Sequence, residues 1–592
     1  MARPRGRGGG RVPKASSQTL PARRTQTGPL INRRLVQSQI TVWGNLTGMP
    51  GPSQLNIQQG MGQQVALARQ PVAPDPGQQA GHRAAQDQDP QANNAQYEVV
   101  EEAMQQDPQS QIQSGEEISN TPNPEQVPVD QVQLVHGAPG LREQVLLADR
   151  LNPTVPEPCA EVEEDADGWS MIDKVGGWDS FLCEFQVLEE IPSQHNGSWT
   201  WAFSTVLERI QSADSDKELD RALMWLCFLP QALLRQPKRG GRSGRNLVAQ
   251  RFNALVEGNW GRLVTLWESD KKFARENQQK RRPNSDTQQE DVDRKRKSAV
   301  SLIAKGRVSK AMNRINSHGL ASMLDPVVMQ QMKAKYPKRG RPLPASVTKC
   351  KPVENLRGLR DSLLKLETGK SPGTGGLRSE FLTVLAEMMT EVQMELLESF
   401  GMRYLCGDLP PWFYVVWLTV MTVPLFKSEK QEAVRPLGVK NPLVREFHKA
   451  EVAENKEVFV NFLEPEQLAM SVAGGVKLVF SIRMLAEDRR DFVVVKIDME
   501  NAFNAVSRAS IIEGLEEEPS LKHLAWHAAT VLAPAHGLES GGSKWGHSEE
   551  GTTQGDPLSA PYFNVSWHKD VRVLNATLSA SGGMAKYGLD DG

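Results

Sequence analysis

Cysteine is scarce in this chain: there are five in 592 residues, they lie far apart, and none belongs to a CxxC pair. That spacing gives no support to a zinc knuckle or a disulfide framework, and it fits a reducing compartment better. Long apolar runs are missing as well. The longest, residues 412–426, is shorter than the ~18 residues that indicate a membrane span, and Pro424 interrupts it. The sequence therefore indicates a soluble protein with no membrane partner.

A strong charge of either sign is also absent, because the net charge is only −2. Any electrostatic attraction to nucleic acid must therefore come from local clusters. Three basic clusters qualify, at residues 235–245, 280–283 and 294–297. Either their Lys and Arg side chains follow a phosphate backbone and release condensed counterions, or they are solvated faces of loops and helices.

Residues 1–165 are rich in Gln, Pro, Gly, Asn and Ser and have few aromatics. Such a segment cannot bury enough apolar surface to offset its chain entropy, so we expect it to be disordered. Its opening is basic, and no acid precedes Asp75. An RNA-binding arm, a nuclear import signal, an organelle transit peptide and a solvated tail all fit this pattern. We expect the nucleus or the cytoplasm, with an organelle as the alternative.

Further along, apolar residues recur at helical spacing, which predicts a helical region over residues 166–320, followed by a linker over 321–344. From 345 to 592 the pattern is mixed α/β. We predict amphipathic helices around residues 356–366 and over 379–400. Two short β-like runs flank the polar turn at residues 428–433 and predict a hairpin that carries Lys427 and Arg435.

Asp498 ends the stretch VVVKID, which predicts a buried strand, and NAFNAVSRASIIEGLEE predicts a helix directly after it. The carboxyl end of a strand is where α/β sheets place ligand-binding and catalytic groups. A carboxylate there can also be an ordinary helix cap, since it accepts hydrogen bonds from the first helical turn. Asp498 alone does not decide between the two.

Two later stretches supply a context for Asp498. Residues 551–565, GTTQGDPLSAPYFNV, have glycines that let the backbone approach a substrate closely, and residues 588–592, GLDDG, carry the adjacent acids Asp590 and Asp591. Each stretch alone is also a plain turn. Together, a strand-end acid and an acidic pair provide the carboxylates of a two-metal phosphoryl-transfer site, and a basic hairpin could bind a triphosphate.

In this order the motifs resemble those of the reverse transcriptase family, most closely the polymerases of non-LTR retrotransposons. The likeness covers about residues 345–592. It is carried by KSPGTGGLRSEFL, VPLFKSEKQEAVRPLGVKNPLVREF, QLAMSVAGGVKLVFSI, KIDMENAFNAVSR, GTTQGDPLSAPYF and GLDDG. The resemblance implies an RNA-directed DNA polymerase of a retroelement, with an α+β right-hand fold of palm and fingers, incomplete and without a thumb.

The resemblance also implies the chemistry. Asp498, Asp590 and Asp591 would be catalytic and would hold two Mg²⁺ ions, with Mn²⁺ as the alternative metal. The primer 3′-hydroxyl would attack the α-phosphate of a deoxynucleoside triphosphate, one metal activating it and the other stabilising the pyrophosphate. The implied partners are an RNA template, a DNA primer and deoxynucleoside triphosphates.

Five further residues receive substrate-binding roles from the same resemblance. Phe503 would be the bulky gate beneath the incoming sugar that excludes a 2′-hydroxyl. Arg435 and Lys427 would contact the triphosphate. Gln554 and Gly555 would line the nascent base pair.

The chain departs from the family pattern in several places. Gly375 stands where the family usually has Asp, and Ala469 and Ser471 stand where glycines are usual. Tyr587 is one place earlier than the aromatic before the paired acids, so that Gly588 takes its position. The sequence also stops just after the second acid. We therefore expect a hairpin with one arm, no ladder partner to fix its carboxylates, and an inactive or weak polymerase.

Three alternatives to this interpretation remain open. One is a degenerate, unfolded gene product, against which the intact alternation of motif and core argues. The chain can be a non-catalytic RNA- or DNA-binding remnant that uses the basic clusters between residues 235 and 297, or a polymerase of the intron-maturase type. The remnant predicts RNA binding that falls steeply with salt and does not respond to Asp498→Ala.

Overall fold

A computed structural model describes the backbone of residues 39–45 and most of residues 144–588. Within the second range it leaves out residues 152, 160–164, 176–184, 238–240, 279–287, 305, 307, 317–318, 429–431, 468–469, 471–479, 481–482, 485–486, 489–491 and 500. The described part is a mixed α+β structure, mostly helical with small sheets.

Among the described residues, nine strands form three sheets. The strand orders are β6-β1-β9, β2-β3 and β5-β4-β7-β8. The strands are β1 (Gln39–Asn45), β2 (Gln144–Leu146), β3 (Ser346–Thr348), β4 (Val420–Phe426), β5 (Val434–Val439), β6 (Phe492–Asp498), β7 (His536–Ser540), β8 (Ser543–Ser548) and β9 (Met584–Gly588).

Helices make up most of the rest, and none in the described ranges combines the length and apolarity needed to cross a membrane. They are α1 (Ala148–Leu151), α2 (Ile172–Val175), α3 (Asn196–Ser212), α4 (Asp216–Leu234), α5 (Gly241–Val256), α6 (Trp260–Gln278), α7 (Gln288–Ala304), α8 (Val308–Asn316), α9 (Pro326–Ala334), α10 (Leu359–Leu364), α11 (Ser379–Met388), α12 (Glu391–Leu405), α13 (Pro411–Trp417), α14 (Pro442–Glu454), α15 (Lys456–Leu463), α16 (Ala502–Ala505), α17 (Arg508–Glu517), α18 (Ala525–Leu532) and α19 (Ser559–Ser579).

Most of the segment expected to be disordered, residues 1–165, lies outside the described residues. Three elements fall inside it: β1, β2 and α1. β2 pairs with β3, and Leu147 is 1% exposed in the main core. These elements show that the expected disordered segment, residues 1–165, also contains regular structure. The sequence did not reveal them because their partners lie hundreds of residues away in the chain.

Helices α2 to α6 share one hydrophobic core with the elements after residue 345. Trp199 Nε1 donates to the Phe381 carbonyl at 3.2 Å, and the two rings lie 5.7 Å apart. Arg403 Nη1 donates to the Ile210 carbonyl at 2.8 Å. The helical region is therefore packed directly against α11 and α12.

The helix expected over residues 379–400 is two helices, α11 and α12. Thr390 interrupts it with a capping box: its hydroxyl accepts from the Gln393 amide at 3.3 Å, and Gln393 Oε1 accepts from the Thr390 amide at 3.0 Å. The break changes the helical phase. Met388 and Val392, which a single continuous helix would place on the same apolar face as Phe381, are 49% and 68% exposed.

The predicted hairpin is confirmed. β4 and β5 are antiparallel with Leu425 opposite Arg435, and the Lys427 amide donates to the Ala433 carbonyl at 2.9 Å to start the turn. The β7 strand lies beside β4 in parallel, with Val420 opposite Leu538. The hairpin therefore supplies two of the strands of a four-stranded sheet.

The strand predicted to end on Asp498 is also present, as β6. It is not fully buried: of its described side chains, Val493 and Val495 are 43% and 46% exposed, so one face of its sheet is open. β1 lies between β6 and β9 and is antiparallel to both, with Gln39 opposite Asp498 on one side and Gly588 on the other. The expectation that the strand before the paired acids has no ladder partner is therefore wrong, because a segment from near the N-terminus fills that place.

Residues 321–344, interpreted as a linker, contain α9. Asp325 caps this helix by accepting from the Val327 amide at 2.8 Å, and Pro326 occupies the first helical turn. Met332 of α9 is fully buried beside Val434 of β5. The sequence did not reveal α9, because its apolar residues span only about one and a half helical turns, which is too short to show a clear helical periodicity.

Candidate active site

The chain after β6 turns sharply before it becomes helical. Asn501 has a left-handed backbone with φ of 58°, a conformation that Asn tolerates better than most residues. The single helix expected from residue 501 onward is two helices, α16 and α17. Val506 is extended between them, and Ser507 caps α17 by accepting from the Ser510 amide at 3.2 Å. The turn therefore holds Phe503 of α16 close to the end of β6.

A single cleft brings together four of the residues predicted to bind substrate: Lys427, Arg435, Phe503 and Gln554. The first two come from the β4–β5 hairpin, the third from α16 and the fourth from the loop before α19. The fifth, Gly555, is exposed beside Gln554. The cleft holds about 80 Å³, well below the ~300 Å³ of a typical small-molecule pocket. A nucleotide would therefore lie partly outside it or widen it.

The charged side chains among the described residues of this cleft are all positive. Of the ten described residues that line it, three are cations and none is acidic. Lys335, Lys427 and Arg435 are the cations. The described walls of the cleft therefore favour an anionic group such as a phosphate.

The loop before α19 is held against α16 by its backbone. The Gly551 amide donates to the Val506 carbonyl at 2.8 Å, and the Thr552 amide donates to the Phe503 carbonyl at 2.7 Å. The ring of Phe503 packs on Phe563 of α19, with centroids 5.3 Å apart. These contacts fix the loop that carries Gln554 relative to Phe503.

A buried ionic network anchors the other end of that loop. Asp556 accepts from Lys440 Nζ and from His448 Nδ1, the latter at 2.9 Å, and all three side chains are at most 8% exposed. Burial opposes the charged form of Asp556, but the attraction of His448 and Lys440 and their hydrogen bonds hold its pKa well below the usual value. Burial lowers the pKa of His448 despite the attraction of Asp556, and His448 Nε2 lies 3.1 Å from the Tyr404 hydroxyl.

Arg508, at the start of α17, is fully buried and supports the same loop. Its guanidinium donates to the carbonyls of Gly551 at 2.9 Å, Leu532 at 3.0 Å and Pro534 at 2.9 Å, and to the Ser548 hydroxyl at 3.1 Å. A planar group with five donors satisfies all of these acceptors at once. Arg508 thereby ties α17 to the β7–β8 hairpin and to the loop before α19.

The predicted metal ligands are only partly described. Asp590 and Asp591 lie outside the described residues, and for Asp498 the structure describes the backbone alone. Among the described side chains, no group of three or more His, Cys, Asp or Glu could hold a metal ion. Tyr587, just ahead of the paired acids, is 2% exposed, and its hydroxyl lies 3.1 Å from His568 Nδ1. That tyrosine is therefore part of the packing between β9 and α19.

A comparison with known proteins gives a distant, partial match. The chain is 25% identical over 243 residues to the retrovirus-related Pol polyprotein from type-2 retrotransposable element R2DM of Drosophila melanogaster. The match covers 39% of this chain and 21% of the relative, so the chain spans about a fifth of that protein's length. No family model matches the chain.

Six residues that line the cleft were not predicted from the sequence, and Lys335 and Asn501 are two of them. Asn501 Nδ2 donates to the Lys335 carbonyl at 2.8 Å, and Asn501 Oδ1 accepts from Asn504 Nδ2 at 3.1 Å. Asn501 belongs to the motif KIDMENAFNAVSR. Lys335 lies outside all of the motifs, 92 residues before Lys427, the next cation of the cleft along the chain. The cluster KAKYPKRGRP around Lys335 was the available signal.

One of the basic clusters is in part structural. Arg235 is 1% exposed; its Nε donates to Asp270 Oδ2 at 2.7 Å and its Nη1 to the Gln231 carbonyl at 3.0 Å. Arg235 therefore cannot follow a phosphate backbone without leaving the core. The cluster at 280–283 lies outside the described residues.

A larger cavity of about 550 Å³ lies elsewhere, between α15 and α19. Its charged lining consists of Glu464, Glu466, Glu518 and Arg572. Three carboxylates against one guanidinium do not suit a phosphate. This cavity is separate from the cleft that carries the predicted substrate residues.

Proposed function

We propose that residues 345–592 form the fingers and palm of an RNA-directed DNA polymerase of the non-LTR retroelement type. It would transfer a deoxynucleotide to a primer 3′-hydroxyl on an RNA template. The observation that carries the proposal is the cleft in which Lys427 and Arg435 face Phe503 and Gln554. The distant similarity to a retrotransposon Pol polyprotein supports the same family.

Each side of the cleft suits one part of a nucleotide. Lys427 and Arg435 offer a point charge and a planar fork of donors, which together suit phosphate oxygens. The half-buried ring of Phe503, braced by Phe563, is a rigid apolar wall against which a sugar can pack. Gln554 offers an amide at the edge of the cleft, where a base pair would form.

Asp498, Asp590 and Asp591 would hold the Mg²⁺ ions, with Mn²⁺ as the alternative. The backbone is compatible with this, because β6 and β9 both end opposite Gln39 at the same edge of their sheet. Asp498 is the last residue of β6, and Asp590 follows the last residue of β9 by two positions. Mg²⁺, when bound, would supply Lewis-acid stabilisation of the oxygens that gain charge during nucleotidyl transfer.

Primer extension tests this function. The full chain is incubated with a DNA primer on an RNA template, Mg²⁺ and deoxynucleoside triphosphates, beside Asp498→Ala and the matched surface variant Asp570→Ala on α19. The expected inactivity rested on a missing ladder partner for the strand before the paired acids, and β1 pairs with that strand. We therefore expect extension by the parent chain and by Asp570→Ala, and none by Asp498→Ala. No extension by a folded parent chain that binds primer-template would contradict the proposal. RNA binding that falls steeply with salt and ignores Asp498→Ala would then identify a binding remnant.

A further inference from the structure

Lys335 lines the same cleft as Lys427 and Arg435, although it comes from a different part of the chain. It caps the C-terminal end of α9 and is half-buried. Residues 319–341, which contain α9, are called the strap here. The strap runs from the β4–β5 hairpin to the elements around α17, and Lys335 lies between its two attachments.

The first attachment of the strap is to the hairpin. The Ala321 amide donates to the Pro424 carbonyl at 2.9 Å, which adds a short bridge to the end of β4 that extends beyond its pairing with β7. The side-chain amide of Gln331 then bonds the edge of β5 twice, donating to the Glu432 carbonyl and accepting from the Val434 amide, both at 2.9 Å. Hairpin and strap are therefore joined along their length.

The second attachment is to the other side of the cleft. Arg341 Nη2 lies 2.8 Å from both carboxylate oxygens of Glu513 on α17. The Gly340 amide donates to Glu550 Oε1 at 2.9 Å, and Arg339 Nη2 donates to the Ala533 carbonyl at 2.7 Å. The strap is thus held at both ends, which restricts where Lys335 can go.

The strap is also fixed at Lys335 itself, by the turn that follows Asp498. Asn501 donates to the Lys335 carbonyl at 2.8 Å, and Asn501 is in turn held by Asn504. Two polar side chains of the turn thus restrain the backbone carbonyl of Lys335. The position of the lysine is coupled to the end of β6.

We propose that Lys335 is a third cation for the triphosphate of the incoming deoxynucleotide. This inference rests on the proposed polymerase function and deepens it. The described lining of the cleft carries three cations and no carboxylate, a set that suits the oxygens of a triphosphate. Lys335 supplies a compact ammonium from a segment of the chain other than the hairpin.

A binding measurement that needs no catalysis tests the proposal. The full chain is loaded with an RNA template and a primer that ends in a dideoxynucleotide, and the dissociation constants of dTTP and dTMP opposite a template adenine are measured with Mg²⁺. The variants are Lys335→Ala and Lys335→Arg. Lys333→Ala is the matched control, because Lys333 lies two residues away on α9, is exposed and does not line the cleft.

We expect Lys335→Ala to weaken dTTP binding about tenfold and to leave dTMP binding unchanged. Lys335→Arg should retain most of the affinity, and Lys333→Ala should behave like the parent chain. Asn501→Gly keeps the left-handed backbone accessible and removes the bond to the Lys335 carbonyl, so we expect a smaller loss for dTTP alone.

Three results would overturn the inference, and they are distinguishable. If Arg435→Ala weakens dTTP binding and Lys335→Ala does not, Lys335 is not a triphosphate ligand while the proposed function stands. If Lys335→Ala weakens the RNA template instead of dTTP, the lysine belongs to the template path. If the parent complex binds no dTTP, the polymerase function fails and the inference fails with it.

Discussion

The backbone amide of Thr552 donates a 2.7 Å hydrogen bond to the carbonyl of Phe503. This bond joins the loop before α19 to the turn after β6, two segments about 50 residues apart in the chain. Gln554 stands on the first segment and Phe503 on the second, and both line the cleft. The two residues that the family resemblance assigns to the same nucleotide are therefore fixed to one another by main-chain contacts.

Gly551 is required for this contact, and Gly551→Ala should be strongly destabilising. Its φ is +74°, and an added Cβ would lie 2.3 Å from the backbone of Asn504. Strain and overpacking together should cost about 3 kcal/mol. Gly555→Ala is the matched control, because its φ is +88° but its Cβ would meet no atom within 4 Å. Urea denaturation should show a much larger loss for Gly551→Ala; equal losses would mean that the close approach to Asn504 is not tight.

Arg508→Lys should destabilise the chain despite keeping the charge. Lysine has three donors on one atom and cannot reach the carbonyls of Gly551, Leu532 and Pro534 together. Leaving buried acceptors unpaired should cost about 3 kcal/mol. The exposed Arg262→Lys is the control, with a change inside about 0.5 kcal/mol. A thermal midpoint for Arg508→Lys equal to that of the parent would show that the network is not needed.

His536 should make the fold less stable as the pH falls from 7.5 to 5.5. Burial lowers its pKa well below the usual value, and the nearby cations Arg508 and Lys440 lower it further. The unfolded chain therefore binds a proton below about pH 6.5 that the folded chain rejects, and stability declines with falling pH.

The size of the effect is at most ~1.4 kcal/mol per pH unit for one such group. His536→Gln keeps a donor for the Val531 carbonyl, to which His536 Nε2 lies 2.6 Å away, and removes the titration. Urea midpoints at the two pH values should therefore differ less in His536→Gln than in the parent. An identical pH slope would show that His536 is protonated as easily when folded as when unfolded.

Local patterns in the sequence predicted the parts of the site that depend on neighbours in the chain. The β4–β5 hairpin follows from two β-branched runs around a polar turn, and β6 from the run that ends on Asp498. The break at Thr390 was also locally encoded, since Thr390 and Gln393 have the spacing of a capping box. The continuous apolar pattern over residues 379–400 outweighed that signal.

Contacts between distant segments could not be predicted in this way. β1 has no apolar alternation strong enough to stand out in a Gln- and Pro-rich segment, and its partners lie more than 400 residues away. Lys335 reaches the cleft only because Gln331 and Arg341 hold the strap on both sides. Residue type and spacing do not reveal the pairing of β1 or the placement of Lys335 in the cleft, because these two contacts depend on tertiary packing.

The most direct test of the central claim is single-nucleotide insertion opposite adenine in an RNA template, comparing dTTP with UTP in the parent chain and in Phe503→Val. This experiment tests three parts of the claim together: RNA-templated activity, a preference for deoxynucleotides and the role of Phe503 as the gate. We expect the parent to insert dTMP in strong preference to UMP, and Phe503→Val to narrow that preference at least tenfold, on the order of the discrimination that one side-chain contact provides. If the parent inserts neither nucleotide, or if Phe503→Val leaves the ratio unchanged, the assignment of this cleft to the incoming nucleotide is contradicted.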